Sequence, residues 1–333
     1  MVKRGANVLG LGVVIVLLAM VVLHSFLRER PSCTTSAMSW APRSGQPVVT
    51  FRRLGEYGRL GNQIFQVVAT LAVAKAHSAT PELPARALEL PLAQLFELSG
   101  IGISRGPPHE INASDHVLTA GAAEFLLPAR LEGRTIDLQG YFQHKDYALY
   151  AERQLAQALQ LRQGVTDRAL SLIRPDTIAI HVRRGDYLQL SHLYEQPTTT
   201  YFQRALEGLA AGLDEVDVVI VSDDIEWCRA NLTLRALTDR QKLTVRYSPF
   251  KSEVDDFLLL YLAPRIIISN SSFSWWAAWL KRLWQRQRHV VMPWPWYVVN
   301  SELSIWNDLN AYKGEQQWMV LHASTGLPVQ VSR

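Results

Sequence analysis

The chain has 333 residues, of which 48% are hydrophobic and 19% charged, and its formal net charge is +4. This length and composition indicate a folded protein of about two domains and exclude an intrinsically disordered chain. The basic residues form no tract and no aromatic-interleaved RNA motif, so the chain is not expected to bind nucleic acid, and the mild charge suits an anionic small molecule. The two cysteines are far apart and lack partners at metal-ligand spacing, which argues against a disulfide framework or a zinc site.

The N-terminus predicts a membrane anchor. Residues 8–23 carry no charge, and with their neighbours they form a span of about 20 residues, the thickness of a bilayer. We predict a cytosolic tail at 1–6, a transmembrane signal anchor at 7–27, and a Pro- and Ser-rich stem at 28–47. The alternative, a cleaved signal peptide, normally has a shorter apolar core. The expected topology is single-pass type II, with the body of the protein on the luminal side.

The first folded segments follow the stem. The pattern predicts a strand at 48–51, a glycine-punctuated loop at 55–61 and a helix at 62–76. Residues 81–128 carry many Pro and Gly residues and give no clear element. A further strand is predicted at 136–138 and a helix at 146–161.

The second half alternates strands and helices more plainly. Strands are predicted at 177–182, 216–222, 243–247, 265–269 and 289–292, with helices at 200–213, 225–232, 253–262 and 273–284. This alternation predicts right-handed βαβ units and a parallel sheet. We therefore predict two α/β domains, 48–165 and 166–333, with a ligand in the cleft between them.

The most informative segment is His181-Val182-Arg183-Arg184-Gly185-Asp186, which follows the apolar strand at 177–182. Ligands bind at the carboxyl ends of strands in open α/β sheets, and an arginine fork grips two oxygens of a diphosphate. The alternative interpretations are a solvated surface salt-bridge cluster or an adhesion tripeptide at Arg184-Gly185-Asp186.

A second motif, Gly58 to Gln66, combines glycines with a helix start. Glycines let backbone amides approach a ligand, and Asn62 and Gln63 can both donate and accept hydrogen bonds, as recognition of a sugar requires. The alternative is an ordinary Asn cap after a Gly turn.

A third motif, Ser269 to Trp276, again lies where a strand enters a helix, and its hydroxyls and free amides can hold a phosphate. Trp275 and Trp276 are expected to pack in the core. The preceding helix begins Glu253-Val254-Asp255-Asp256. Its acidic residues act either as partners of the helix dipole or as acceptors for the two adjacent donors of a guanine edge.

In order and spacing, these three motifs resemble the α-1,2-fucosyltransferases of glycosyltransferase family 11. The resemblance rests on Gly-Asn-Gln at 61–63, His-Val-Arg-Arg-Gly-Asp-Tyr at 181–187, and the Ser-Trp-Trp-Ala-Ala segment ending at 278, and it extends with gaps from about 48 to 296. This chain departs from the family pattern at Arg59, where a glycine is usual.

The resemblance implies a GT-B-like fold with two Rossmann-like domains facing a cleft. It also implies GDP-fucose as donor, a terminal galactose of a glycoprotein or glycolipid as acceptor, inversion at the anomeric carbon, no cofactor or required metal, and a Golgi membrane location. Carried over by position, the donor-binding residues are His181, Arg183, Arg184, Asp256, Ser271, Ser272 and Phe273. The acceptor-binding residues are Asn62 and Gln63.

Catalysis is expected to depend on Arg183, which stabilises the charge on the GDP leaving group. An inverting transfer also benefits from a base for the acceptor hydroxyl. Three candidates remain open: Asp186, Glu56, and Asp146 with His144. The aspartate pairs at 223–224 and 255–256 are poor metal chelates, because neighbouring positions on a helix do not face each other.

Luminal exposure makes two sequons, at Asn112 and Asn231, available for glycosylation. Asn270 also fits the pattern, but its place in the predicted donor site argues that it stays bare. Two rival functions remain: a core or protein O-fucosyltransferase, and a membrane-anchored glycan-binding protein with an inactive donor pocket.

Overall fold

The computed structural model describes residues 47–104, 115–127, 135–284, 289–314 and 317–330. The predicted tail and anchor, nearly all of the stem and the sequon at Asn112 lie outside these residues. Within the described ranges, no helix has both the length and the apolar character needed to span a membrane.

The first sheet contains five described strands, and all of its paired strands run parallel. They are β1 (Val48–Thr50), β2 (Thr80–Pro84), β3 (Gly102–Ser104), β4 (Asp115–Ala120) and β5 (Thr135–Gly140), in the order β3-β2-β1-β5-β4. The helices of this half are α1 (Leu60–Ala76), α2 (Pro91–Leu95), α3 (Lys145–Tyr150), α4 (Glu152–Ala158) and α5 (Asp167–Leu170).

The second sheet has six described strands, again all parallel. They are β6 (Thr177–Val182), β7 (Glu215–Ser222), β8 (Lys242–Tyr247), β9 (Arg265–Ile267), β10 (His289–Trp294) and β11 (Met319–His322), in the order β11-β10-β9-β6-β7-β8. Its helices are α6 (Thr199–Ala210), α7 (Ile225–Asn231), α8 (Glu253–Leu262), α9 (Ser272–Trp284) and α10 (Leu309–Tyr312). The prediction of an α/β fold with parallel sheets is confirmed.

One hydrophobic core joins the two halves. Helix α1 has buried residues along nearly its whole length, because it packs against β1 and β2 on one side and against α9 on another. The ring of Phe65 lies 4.9 Å from that of Trp275 and 4.8 Å from that of Trp276. Both tryptophans are fully buried, so the prediction that they pack in the core is confirmed.

Two segments differ from prediction. The helix predicted at 146–161 is two helices, α3 and α4, because the backbone at Ala151 leaves the helical region with ψ near 17°. The Pro- and Gly-rich stretch that gave no prediction holds β2, β3 and β4. These strands are short or irregular in sequence. They are defined by their pairing, β2 with β1, β3 with β2 and β4 with β5.

Candidate functional site

A cavity of about 750 Å³ lies where the carboxyl ends of both sheets meet. The first sheet contributes residues that follow β1, β4 and β5, and the second contributes residues that follow β6 to β10. This is where parallel α/β sheets place their ligands, because strand ends release several loops toward one point. Of the predicted site residues, those lining the cavity are Asn62, His181, Arg183, Asp186, Asp256, Ser271, Ser272 and Phe273.

Arg183 follows β6, a strand buried along its whole length, so its backbone is fixed by the sheet. Its guanidinium lies between two carboxylates, with Nη2 2.5 Å from Asp186 Oδ1 and Nη1 2.6 Å from Asp223 Oδ2. It also lies 5.3 Å from the centre of the Tyr187 ring. The side chain is 14% exposed. The arginine fork is therefore held in one orientation at the cavity surface, as binding of a diphosphate requires.

Asp223, at the end of β7, organises this arginine. Its Oδ1 accepts the backbone N–H of Arg184 at 2.9 Å, while Oδ2 pairs with Arg183. A Cβ atom at Gly185 would lie 2.5 Å from Oδ2, so the glycine makes room for the carboxylate. The sequence pattern draws attention to Asp223 only as one of a pair of neighbouring aspartates. Its position directly after β7, the strand that pairs with β6, is the feature that could have placed it beside Arg183.

His181 lies on β6 with 5% exposure, and its Nδ1 is 2.8 Å from the hydroxyls of both Ser269 and Ser274. Burial, reinforced by the nearby positive charge of Arg183, lowers its pKa to about 3. The imidazole is thus neutral at physiological pH and does not serve as a general acid there. His181 lines the cavity floor beside Phe273, and the centres of the two rings are 5.4 Å apart.

Asp256 lies in the first turn of α8 and accepts a hydrogen bond from Ser248 Oγ at 2.5 Å. Burial raises its pKa to about 6; the bond from Ser248 opposes that rise and the neighbouring Asp255 adds to it. An ionised carboxylate kept at this cost is typical of a binding residue. Asp255 instead pairs with Arg168 at 2.6 Å, so the two carboxylates serve different partners.

Asn62 joins the two halves of the protein at the cavity floor. Its Oδ1 accepts from Ser272 Oγ and from Gln143 Nε2, each at 2.7 Å, and its Nδ2 donates to the carbonyl of Tyr57 at 3.1 Å. Both acceptor positions of the amide oxygen are therefore used within the protein. The structure thus makes Asn62 a support for Ser272, on the predicted donor side, although we had predicted contact with the acceptor.

Three predicted site residues lie outside the cavity lining. Glu56 is bound by Arg53 at 2.6 Å and Arg86 at 2.7 Å; these hydrogen bonds lower its pKa, which makes it a poor base. Gln63 is buried inside α1. Arg184 turns away, pairing with Asp224 at 3.2 Å and lying 3.6 Å from the centre of the Trp227 ring.

Among the base candidates, Asp186 lines the cavity and its side chain is 58% exposed. Asp146 does not line it; its backbone N–H donates to His144, whose pKa is lowered by burial. For the described sequons, Asn231 is exposed at the end of α7, whereas Asn270 is fully buried and its amide donates to the carbonyls of Glu195 and Trp296.

The cavity also has further aromatic lining: Tyr141, Tyr187, Tyr194, Trp296, Tyr297 and Trp306. Of these, only Tyr187 belongs to one of the three sequence motifs. These residues lie in loops after strands of both sheets, at no regular spacing. Only the fold brings them together.

Comparison with known proteins supports the family resemblance. Residues 133–285 match the model of Glycosyl transferase family 11. An alpha-1,2-colitosyltransferase of Escherichia coli is 28% identical over 171 residues, which cover 49% of this chain and 57% of that protein. Galactoside alpha-(1,2)-fucosyltransferase 2 of Hylobates lar is 27% identical over 241 residues, 67% of each chain. Across three curated relatives, the matched region spans 57%, 43% and 62% of their lengths.

Among solved structures, fucosyltransferase NodZ from Bradyrhizobium superposes with a TM-score of 0.46 at 14% identity, over 71% of this chain and 93% of that one. The family match contains the arginine segment, the start of α8 and the Ser-Trp-Trp segment. The chain thus resembles the α-1,2-fucosyltransferases of glycosyltransferase family 11, as its motifs indicated.

Proposed function

We propose that the protein transfers L-fucose from GDP-fucose to the 2-hydroxyl of a terminal β-galactoside, with inversion at the anomeric carbon. In this proposal the two sheets belong to the two domains, 48–165 and 166–333, of a GT-B-like glycosyltransferase. The observation that carries it is Arg183, held by two carboxylates at the edge of the cavity within the segment that matches glycosyl transferase family 11.

The donor fits the polar half of the cavity. Arg183 would hold the diphosphate through its planar fork, and the start of α9 would supply free backbone amides together with the hydroxyl of Ser271. The hydroxyl of Ser272 donates to Asn62, so Ser272 would act through its backbone. Asp256 would accept the N1–H and N2–H₂ of guanine, a pair of donors that no pyrimidine presents. His181 and Phe273 would close the floor beneath the nucleotide.

In the reaction, the acceptor oxygen bonds to C1 of fucose while the bond from C1 to the β-phosphate oxygen breaks and leaves its electrons on GDP. Arg183 stabilises the charge that develops on that oxygen, without a metal ion. The hydroxyl proton passes to a base. Asp186 is our candidate, because it lines the cavity with an exposed side chain, whereas Glu56 lies outside the cavity lining.

Localisation forms part of the same proposal: a type II protein of the Golgi membrane, anchored by residues 7–27, with Asn231 exposed to the lumen and available for glycosylation. A glycosidase shift of the expressed protein that disappears in Asn112→Gln/Asn231→Gln would support this topology. Protease protection of the N-terminal tail, with digestion of the body, would contradict it.

The test of function is a donor and acceptor screen with the full chain, in which the product linkage is determined by NMR. We expect fucose on the 2-hydroxyl of β-galactosides, undiminished by a chelator. A colitosyl donor belongs in the screen because of the E. coli relative. A 1,6- or protein-linked product would favour the rival fucosyltransferases. Failure to bind GDP or to consume GDP-fucose would favour a glycan-binding protein.

A further inference from the structure

Five aromatic side chains line the cavity, and we call this set the aromatic wall: Tyr141, Tyr187, Tyr194, Tyr297 and Trp306. The rings of Tyr187 and Tyr194 stack at 4.2 Å, and the rings of Tyr194 and Tyr297 lie 5.4 Å apart. Contacts between the rings hold this part of the wall rigid.

The other end of the wall is fixed by backbone contacts. The N–H of Tyr141 donates to the carbonyl of Ala120 at 3.3 Å, which ties the end of β5 to that of β4. The next residue, Gly121, lies under Trp306, and a Cβ atom there would be 2.4 Å from the indole ring. The absence of a side chain at Gly121 therefore lets the indole lie over the end of β4, where it lines the same cavity as Tyr141.

The wall differs from ordinary core packing in its exposure and its hydroxyls. Tyr141 is 44% exposed although it lies in a cavity. The hydroxyl of Tyr187 donates to the carbonyl of Asn270, and that of Tyr297 is 3.1 Å from the Tyr312 hydroxyl. By contrast, the hydroxyls of Tyr141 and Tyr194 have no hydrogen-bond partner within the described ranges. A pair of phenols facing a cavity in this way suits a ligand that has both an apolar face and hydroxyl groups.

The aromatic wall lies next to the charged residues Arg183 and Asp186. Arg183 lies over the ring of Tyr187. Tyr187 directly follows Asp186 in the chain, and its ring stacks on that of Tyr194 at 4.2 Å, so this end of the wall lies beside Asp186. A molecule resting on Tyr141 and Tyr194 would thus lie beside Asp186 and next to the arginine that holds the leaving group.

We propose that the aromatic wall is the acceptor site and binds a galactopyranose, with the ring face on Tyr141 and Trp306 and the ring hydroxyls on Tyr141 and Tyr194. The proposal rests on the proposed function and deepens it. Galactose suits such a surface because its axial 4-hydroxyl leaves the hydrogens of C3, C4 and C5 together on one face. Glucose, with an equatorial 4-hydroxyl, presents a more polar edge to the same rings.

In this proposal Asn62 and Gln63, which the sequence predicts as acceptor-binding residues, do not contact the acceptor. Gln63 is buried within α1, and the amide oxygen of Asn62 already accepts two hydrogen bonds from the protein. The first motif therefore supports the site from behind, and the acceptor contacts come from residues with no recognisable sequence pattern.

The test compares Tyr141→Ala, Tyr141→Phe and Tyr194→Phe with wild type in the full chain, using methyl β-galactoside and methyl β-glucoside as acceptors. Tyr150→Ala is the matched control, since Tyr150 is 38% exposed and lies outside the cavity. Folding is checked by circular dichroism. Hydrolysis of GDP-fucose by water is measured in parallel, because it reports the donor site without an acceptor.

We expect Tyr141→Ala to raise the KM for the galactoside about tenfold and to reduce the preference over the glucoside, because a stacking contact is lost. The two Phe variants should give smaller rises, since they keep the ring and lose one hydroxyl. The KM for GDP-fucose and the hydrolysis rate should stay at wild-type values. The control should match wild type throughout.

An unchanged galactoside KM in Tyr141→Ala, with transfer intact, would overturn the acceptor site and leave the proposed function standing. A raised KM for GDP-fucose in the same variant would also overturn it, because the wall would then belong to the donor. If wild type neither hydrolyses GDP-fucose nor transfers from it, the proposed function itself fails.

Discussion

Asp223→Asn is the sharpest test of how the fold positions Arg183. The substitution keeps the size of the side chain and one oxygen, so it retains at most one of the two contacts that the carboxylate makes, to Arg184 N–H at 2.9 Å and to Arg183 Nη1 at 2.6 Å. Losing a hydrogen bond to a charged group costs about 1.5–3 kcal/mol. If that cost appears in the transition state, kcat falls by roughly 10- to 150-fold.

The sign of the effect on substrate binding separates this role from a merely structural one. Asp223 carries negative charge beside the proposed diphosphate, so its removal weakens a repulsion even as the arginine becomes less well held. We therefore expect the KM for GDP-fucose to fall while kcat drops. A loss of folding would instead reduce the amount of active enzyme and leave KM unchanged for both substrates.

A double-mutant cycle with Arg183→Lys supplies the decisive measurement. If Asp223 acts through Arg183, the substitution Asp223→Asn should cost little in the Arg183→Lys background, and the two effects should not add. Asp224→Asn is the control. It keeps a good cap for α7 and loses only the pair with Arg184, so its effect should be small and additive. Equal costs of Asp223→Asn in both backgrounds would refute the reasoning.

Three further substitutions test other parts of the site. Arg183→Lys should lower kcat at least about a hundredfold, or about 3 kcal/mol, because lysine lacks the planar fork; near-normal turnover in the folded variant would exclude the assigned role. Asp256→Asn should weaken GDP in competition assays and leave UDP weak, and equal inhibition by the two nucleotides in wild type would remove Asp256 from the site. Since its folded pKa of about 6 exceeds the ordinary 3.8, Asp256 contributes stability at low pH that is lost as the pH rises through about 6. The Asn variant should therefore unfold at higher denaturant than wild type near neutral pH, by about 1–2 kcal/mol after allowance for solvent screening, and lose that advantage near pH 4. Gly61→Ala should destabilise the protein by about 1–3 kcal/mol in denaturant titration, because its Cβ would lie 2.4 Å from the backbone nitrogen of Phe273. Gly208→Ala is the control and should not destabilise, because its Cβ would meet only the flexible side chain of Met319. Equal stability of the two variants would contradict the close packing at Gly61.

The strand and helix pattern of the second half was predictable because its strands are apolar runs whose order in sequence alternates with amphipathic helices. The run at 177–182 is buried at every position, and a short apolar run of this kind is recognised directly in the sequence. The first half was harder. Its strand β2 contains Pro81 and Pro84, which argue against a strand until pairing with β1 is known.

The polar part of the cavity lining was predictable from sequence because most of its residues lie in three contiguous motifs at strand ends. The aromatic wall was not, since Tyr141, Tyr194 and Trp306 come from three separate loops. Glu56 and Asp186 illustrate a second limit. Both are carboxylates near a motif, and only the positions of Arg53 and Arg86 show that one of them is already neutralised outside the cavity.

The contact between α1 and α9 has a consequence for how the chain folds. Phe65 comes from the first half, and the indole rings of Trp275 and Trp276 come from the second. A ribosome releases the first half long before the second, so the partners of Phe65 and of much of α1 are absent at that stage. Until α9 has been synthesised, the apolar face of α1 that packs against it stays exposed in the emerging first half. We expect the chain to fold cooperatively only after nearly the whole body has been synthesised. Each half alone is expected to be prone to aggregation.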